Sequence, residues 1–208
     1  LAAILVGYWT VFALYPLPGP DFDWAMIGNP KDWNENVHGF AAHWNVNTNP
    51  AWAFDTWFLN LFPREKPFTA NGGGYSTLSF VPTLGTMILG LIAGGVLKSE
   101  RTPRQKTLWL VGAGVVGLIA GWALGALGIC PVVKRIWTPS LVLFSGGWCF
   151  LLLAVYLAVI DMWGVKTWSF PLRVIGMNSI ATYCIAETLR GFTMNTLKQK
   201  NTNEGKRW

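Results

Sequence analysis

Hydrophobic and polar positions in this chain fall into long blocks, and several apolar blocks match the ~20 residues that a helix needs to cross a bilayer. Thr77 to Leu97, Leu108 to Leu127, Pro139 to Ile160 and Trp168 to Leu189 are four such runs. Leu1 to Tyr15 is apolar but about five residues short of that length, and the PLPGP run at positions 16–20 ends it. It reads as the latter part of a further span. Between it and the next span lies a polar stretch rich in Asn and Trp. The pattern predicts an all-α membrane protein, a multi-span transmembrane helix bundle of about five spans, with a long extramembrane loop over 16–76.

Within that loop, Asn49 and Pro50 form an N-cap and first-turn pair ahead of AWAFDTWFLNLF, and Pro63 closes the run. The spacing predicts a short helix near 50–62 lying at the membrane interface. The linker KSERTPRQK carries Lys98, Arg101, Arg104 and Lys106, which places it on the cytoplasmic side by the positive-inside rule. The 16–76 loop then faces outward, Asp161 to Thr167 turns on the inner side, and the tail from Arg190 faces outward. Lys198, Lys200, Lys206 and Arg207 in that tail run against this orientation.

Composition agrees with a membrane protein. The 208 residues are 52% hydrophobic and 12% charged, with a mean hydropathy of +0.36, so the charged share is about half that of an ordinary soluble domain. Thirteen Trp and twelve Phe suit wide interfacial belts. The net charge of +6 is scattered through loops and tail, with no basic stripe interleaved with aromatics, so nucleic acid is not an expected partner. Cys130, Cys149 and Cys184 read as small apolar fillers, with no disulfide or metal framework. The chain opens at Leu1 inside an apolar run, and we expect it to be the C-terminal part of a larger protein.

Candidate chemistry gathers at three places. The first is PVVKRIWTPSLVLFSGG at 131–147, where Lys134, Arg135 and Trp137 precede Thr138, Pro139 and Ser140. Thr138 is a good N-cap and Pro139 a preferred first helical residue, so a helix starts there, and its free amides beside two cations suit an anion such as a phosphate. The competing reading makes Lys134 and Arg135 interfacial charges and Trp137 a belt aromatic. The second is NGGGYST at 71–77, in which Gly73 and Gly74 allow a tight backbone while Tyr75, Ser76 and Thr77 lead into a span. It lacks the spacing and Lys of a P-loop. The third is the last span, where Ser179, Tyr183 and Glu187 share one helix face and Asn178 pairs at i,i+4 with Thr182. Glu187 is an intramembrane acid and so a functional candidate, with pairing to Arg190 as the plainer reading. The expected topology puts all three on the outward side.

Ala113, Gly117, Gly121 and Gly125 recur every four residues, and Gly90 and Gly94 repeat the pattern on the preceding span. Such ridges let helices approach closely, within the chain or in a homo-oligomer. His38 and His43, five apart with Asp55 downstream, do not form a recognised zinc spacing, and no metal is expected.

The 131–147 segment, Asp161, and IGMNSIATY at 175–183 together resemble the C-terminal half of the membrane-bound heparan-alpha-glucosaminide N-acetyltransferase family and its bacterial homologues. STLSFVPTLGTMILGLIAG at 76–94 is similar to that family's S-T-L run entering a span, and Asp55 looks like the Asp of its I-D-R segment, with Thr56 in place of the Arg. The resemblance covers roughly residues 50–190. It implies transfer of an acetyl group from acetyl-CoA, as co-substrate, to a sugar or amino-sugar acceptor, with the lipid bilayer as surroundings and a bacterial inner membrane as location. Under it, Lys134, Arg135, Trp137, Thr138 and Ser140 would bind the donor, and Gly73, Gly74, Tyr75, Ser76, Thr77, Asn178, Ser179 and Glu187 would line the pocket. The family's catalytic His belongs to segments upstream of Leu1, and neither His38 nor His43 matches its context. Where bacterial relatives have D-P-E-G, this chain has Ala70, Asn71, Gly72 and Gly73. The competing readings are a non-enzymatic transporter or export component, and a structural packing module.

Overall fold

The computed structural model describes residues 1–19, 22–27 and 36–190, and every regular element among them is helical. The helices are α1 (Ala2–Ala13), α2 (Pro50–Leu59), α3 (Phe80–Lys98), α4 (Pro103–Ala126), α5 (Pro139–Leu157) and α6 (Phe170–Met177). The chain divides into two compact units, Leu1–Ala158 and Val159–Trp208. The expected outward tail beyond Arg190 lies outside the described residues.

Three helices are long and apolar enough to cross a membrane: Thr77–Lys98, Pro103–Ala126 and Pro139–Met162. Only 22%, 17% and 22% of their apolar windows are buried in the protein, so most of this surface needs an apolar surrounding, which a bilayer supplies. The expected span at 108–127 starts earlier than the apolar run does. Thr102 caps α4 through a reciprocal box in which its hydroxyl accepts from the Gln105 amide and the Gln105 side chain accepts from the Thr102 amide. The linker is thereby cut to residues 99–102. Lys106 then reaches back to donate to the Leu97 carbonyl at 2.6 Å, binding a cation at the carboxyl end of α3.

In the first unit α1 packs against α3 and α5, and α4 packs along α5. The α4–α5 contact is a backbone contact. A Cβ on Gly121 would stand 2.7 Å from the Phe144 amide nitrogen and the Ser140 carbonyl oxygen. One on Gly147 would stand 2.7 Å from the Gly114 carbonyl oxygen. The working face thus runs through Gly114, Gly117 and Gly121, with Gly147 opposite, while Ala113 joins a cluster with Ala93, Leu110, Phe150 and Ala154. Gly90 and Gly94 make no close approach within the chain, because a Cβ on either meets nothing within 4 Å. Gly85 does that work on α3, against Leu5 and Val142. A second cluster joins Tyr8 and Phe12 of α1 to Trp44, Ala51, Cys130 and Ile136, at the end of the bundle where α4 finishes and α3 and α5 begin.

The second unit departs from an unbroken span over Trp168 to Leu189. After a π-helical turn at Ala158–Met162 and a 3-10 turn at Thr167–Ser169, α6 runs to Met177 and Asn178 leaves helical geometry, with φ −117° and ψ 39°. Residues 179–190 resume the helix. The Asn178 side chain donates to the Val174 carbonyl, the kind of local side-chain bond that competes with helix continuation.

Replacing Gly121 with Ala should cost about 1–3 kcal/mol, because the new methyl group meets backbone that cannot rotate away. Gly90→Ala should be neutral or stabilising by up to about 1 kcal/mol. Thermal unfolding of both variants in detergent checks the pair, and equal losses would refute the assigned contact face.

Candidate functional site

The segment between α4 and α5 is held as a closed turn. Gly128, at φ +70°, ends α4, and the amides of Ile129 and Cys130 fold back onto the Leu124 carbonyl. Trp137 donates its amide to the Lys134 carbonyl, which makes Lys134–Trp137 a tight turn with Lys134 and Arg135 exposed at its tip. Trp137 itself sits at φ +52°, a left-handed conformation that costs a bulky residue roughly 1–2 kcal/mol. Its indole N–H, bonded to the Thr86 hydroxyl at 3.1 Å, and the Tyr8 hydroxyl, bonded to the Ile136 carbonyl at 2.9 Å, tie the turn to α3 and α1.

Thr138 occupies the N-cap position of α5 with Pro139 at the first helical position, but its hydroxyl does not cap the helix. It accepts instead from the Val133 amide at 3.0 Å and lies 3.0 Å from the Ser140 hydroxyl, which donates to the Pro131 carbonyl at 2.8 Å. Thr138, Pro139 and Ser140 are all buried. Both hydroxyls therefore close the turn internally, and the charged part of the segment is the exposed Lys134–Arg135 tip with the half-buried Trp137 beneath it.

The glycine-rich loop lies against this turn. Gly74, at φ +68°, packs on Val46, and the Arg135 Cδ stands 3.6 Å from where its Cβ would be. Asn71 makes the bend by accepting from the Gly73 amide with its side chain and from the Gly74 amide with its carbonyl. Gly74, Tyr75, Ser76 and Ile136 then share a small cavity with Asn47, Asn49, Trp52, Asp55, Phe68 and Asn71. Its free volume is about 10 Å³, room for about one water molecule.

Asp55 is the chemical centre of this cavity. It is 3% exposed, and its two oxygens accept the Thr77 amide at 3.1 and 2.9 Å. The bond reaches from α2 to the 3-10 turn at Thr77–Ser79 that opens into α3, where free amides and the positive end of the helix dipole favour an anion. Around it a set of asparagines holds the loop. Asn49 caps α2 by accepting from the amides of Ala51 and Trp52, Asn45 pairs with both backbone groups of Val37, and Asn47 donates to the carbonyls of Ile27 and Asn71. Asn47 does so from φ +53°, which Asn tolerates better than most residues.

Of the residues selected from sequence, Gly74, Tyr75 and Ser76 line the cavity, Thr77 binds its carboxylate, and Gly73 forms its turn. Asn178, Ser179 and Glu187 belong to the second unit, where Glu187 lies 4.0 Å from Arg190 in an exposed pair. His38 is exposed, while His43 packs edge-on to Phe40 and Trp44 with its Nδ1 buried and unpartnered. Among the described residues no three His, Cys, Asp or Glu side chains come together as a metal site. Asn47 and Trp52 are site residues that sequence reasoning passed over, and it marks Asn49 only as a helix cap and Asn71 only as the first residue of the glycine-rich loop. Their signal was the density of Asn around the short helix, each one a side chain able to replace backbone partners in a loop.

Burial pushes the Cys130 thiol above its usual pKa, and hydrogen bonding with Ser140 opposes this only in part. Less thiolate is present at pH 8 than in a free cysteine, so in a Cys149→Ser, Cys184→Ser background Cys130 should resist alkylation until the protein is unfolded. Mass spectrometry before and after denaturation reads this, and rapid labelling of the folded protein would mean that the 131–138 turn opens. Comparison of the chain with protein-family models, with curated proteins and with solved structures finds no match.

Proposed function

We propose that this protein is an integral-membrane acyltransferase that moves an acetyl group from acetyl-CoA to a sugar or amino-sugar acceptor. The observation that carries the reading is the meeting of the Lys134–Arg135 tip with the Gly74 loop, which sets exposed cations beside a cavity lined by amides, hydroxyls and a carboxylate. A phosphorylated donor and a polyhydroxyl acceptor call for those two surfaces side by side. The cavity is too small for a sugar ring, but Tyr75 at its rim is 60% exposed and offers an outer aromatic face of the kind on which such rings stack.

In this reading the acceptor nitrogen or oxygen attacks the thioester carbonyl, the carbon–sulfur bond breaks, and the acceptor proton passes through a base to the departing thiolate. Lys134 and Arg135 hold donor phosphates by charge. Thr138 and Ser140, buried and bonded to the turn, set its shape. The helix α1 and residues 168–189 add two further crossings to the three long helices, and loop 16–76 faces outward from a bacterial inner membrane. There α2, pinned through Asp55 to the start of α3, lies at interface depth. Its exposed Trp57, the stacked Phe54 and Phe58 rings along it, and Phe62 edge-on to Phe58 just past its end suit that position.

A second reading, a transporter or export component, draws on the break at Asn178, since interrupted helices are frequent where transporters bind their cargo. Donor binding separates the two. The full-length protein in detergent should bind acetyl-CoA saturably, and Lys134→Ala or Arg135→Ala should each weaken binding about two- to fivefold at low salt, with less effect at high salt. Titration calorimetry across a salt series reads both. No binding at millimolar acetyl-CoA in a folded, monodisperse sample would overturn the transferase reading in favour of the transporter.

A further inference from the structure

A second collection of cations stands at the other end of α4 from Lys134 and Arg135. Residues 98–106 hold Lys98, Arg101, Arg104 and Lys106 against one carboxylate, Glu100. Lys106 is bound to the Leu97 carbonyl, whereas Arg101 and Arg104 are exposed, and among the described residues no carboxylate lies within 4 Å of either guanidinium. They flank the amino end of α4, where the helix dipole is positive and the first turn holds no acid. Positive charge is left uncompensated there. Beside it an apolar groove of about 480 Å³ opens between α4 and α5, with Thr107 and Val111 on one side and Trp148, Leu152, Val155 and Ala158 along the other. Thr107 donates its hydroxyl to the Pro103 carbonyl, so this polar group is satisfied within α4. Arg104, Thr107 and Val111 are spaced three and four residues apart and share one face of the helix. The groove therefore runs toward Arg104. From Trp148 to Ala158 it follows ten residues of chain, about 15 Å at the helical rise, which is half of the ~30 Å hydrocarbon core and so the depth of one leaflet.

We propose that this groove seats one acyl chain of an anionic phospholipid whose phosphate is held by Arg104 and Arg101. The apolar walls accept the chain, and the planar guanidinium groups at the mouth suit phosphate oxygens through paired hydrogen bonds. A net negative headgroup follows from the charge of residues 98–106, because a zwitterionic head brings its own cation against cations that already lack a partner. A soluble anion would leave the groove unfilled. A second copy of the chain, related by a two-fold axis along the bilayer normal, would set a like cluster of cations at the same depth. The inference stands apart from acyl transfer, and lipid binding without acetyl-CoA binding, or the reverse, would separate the two.

The test is native mass spectrometry of the delipidated full-length protein in detergent, titrated with phosphatidylglycerol or with phosphatidylcholine of the same chain lengths. We expect one lipid per chain to bind with a half-saturation about tenfold lower for phosphatidylglycerol, and Arg104→Gln to reduce that ratio about fivefold. Val155→Trp fills the groove from an exposed position and should weaken binding of both lipids at least tenfold, with helix content by circular dichroism unchanged. Both substitutions replace exposed residues, so the fold is kept and each reads one half of the site. Equal half-saturation for the two lipids, or a folded Val155→Trp variant that binds like wild type, overturns the proposal. Dimers that persist at every lipid concentration and dissociate in Val155→Trp also overturn it, and make the groove an interface between copies.

Discussion

A carboxylate that is 97% buried must be met by donors or by charge, and Asp55 is met by the first amide of a membrane-length helix. This one bond constrains everything above the bundle. It fixes α2 against the start of α3, and α2 in turn is started by Asn49, whose other amide contact reaches back to the Asn45 carbonyl. Asn47 and Asn71 carry the chain across the gap between these pieces. A loop of irregular backbone is stable here because side-chain amides supply the partners that a helix or sheet would otherwise provide.

Below that layer the forces are of another kind. Within a bilayer, apolar side chains gain little by leaving lipid for protein, so helices associate through close van der Waals contact. Gly114, Gly117, Gly121 and Gly147 bring two backbones together and leave most of the remaining apolar surface facing outward. The same constraint explains why the polar chemistry collects at one end. Lys134, Arg135, Asp55 and Ser76 stand where the spans end and loop amides are at hand, while the middle of the bundle carries none of them.

Strain and burial show how firmly the turn between α4 and α5 is held. Trp137 keeps a left-handed backbone, and three separate elements hold it and its neighbours through Thr86, Tyr8 and the Thr138–Ser140 pair. The outcome is a rigid pedestal with two cations at its tip. A flexible loop with the same residues would lose more entropy on meeting an anion.

The three long helices, the Asn49-Pro50 start of α2 and the Thr138-Pro139 start of α5 were legible in the sequence, because length, apolarity and capping chemistry are local properties. The capping box that starts α4 at Pro103 was equally local and was hidden only by the charges around it. Other features depended on which neighbour arrived. Gly117 and Gly90 look alike in sequence, yet one meets the backbone of α5 and the other meets nothing. Thr138 is an N-cap by position but spends its hydroxyl on Val133, since the turn offers a closer donor. Asp55 and Ser76 stand 21 positions apart in the chain, and no periodicity links them. Sequence alone determined which segments are helical and apolar, since those depend on residues within one or two turns. The pairing of Asp55 with Thr77, and the cavity that this pairing closes, were decided by tertiary packing, because a buried charge takes its partner from whatever backbone is brought within hydrogen-bond reach.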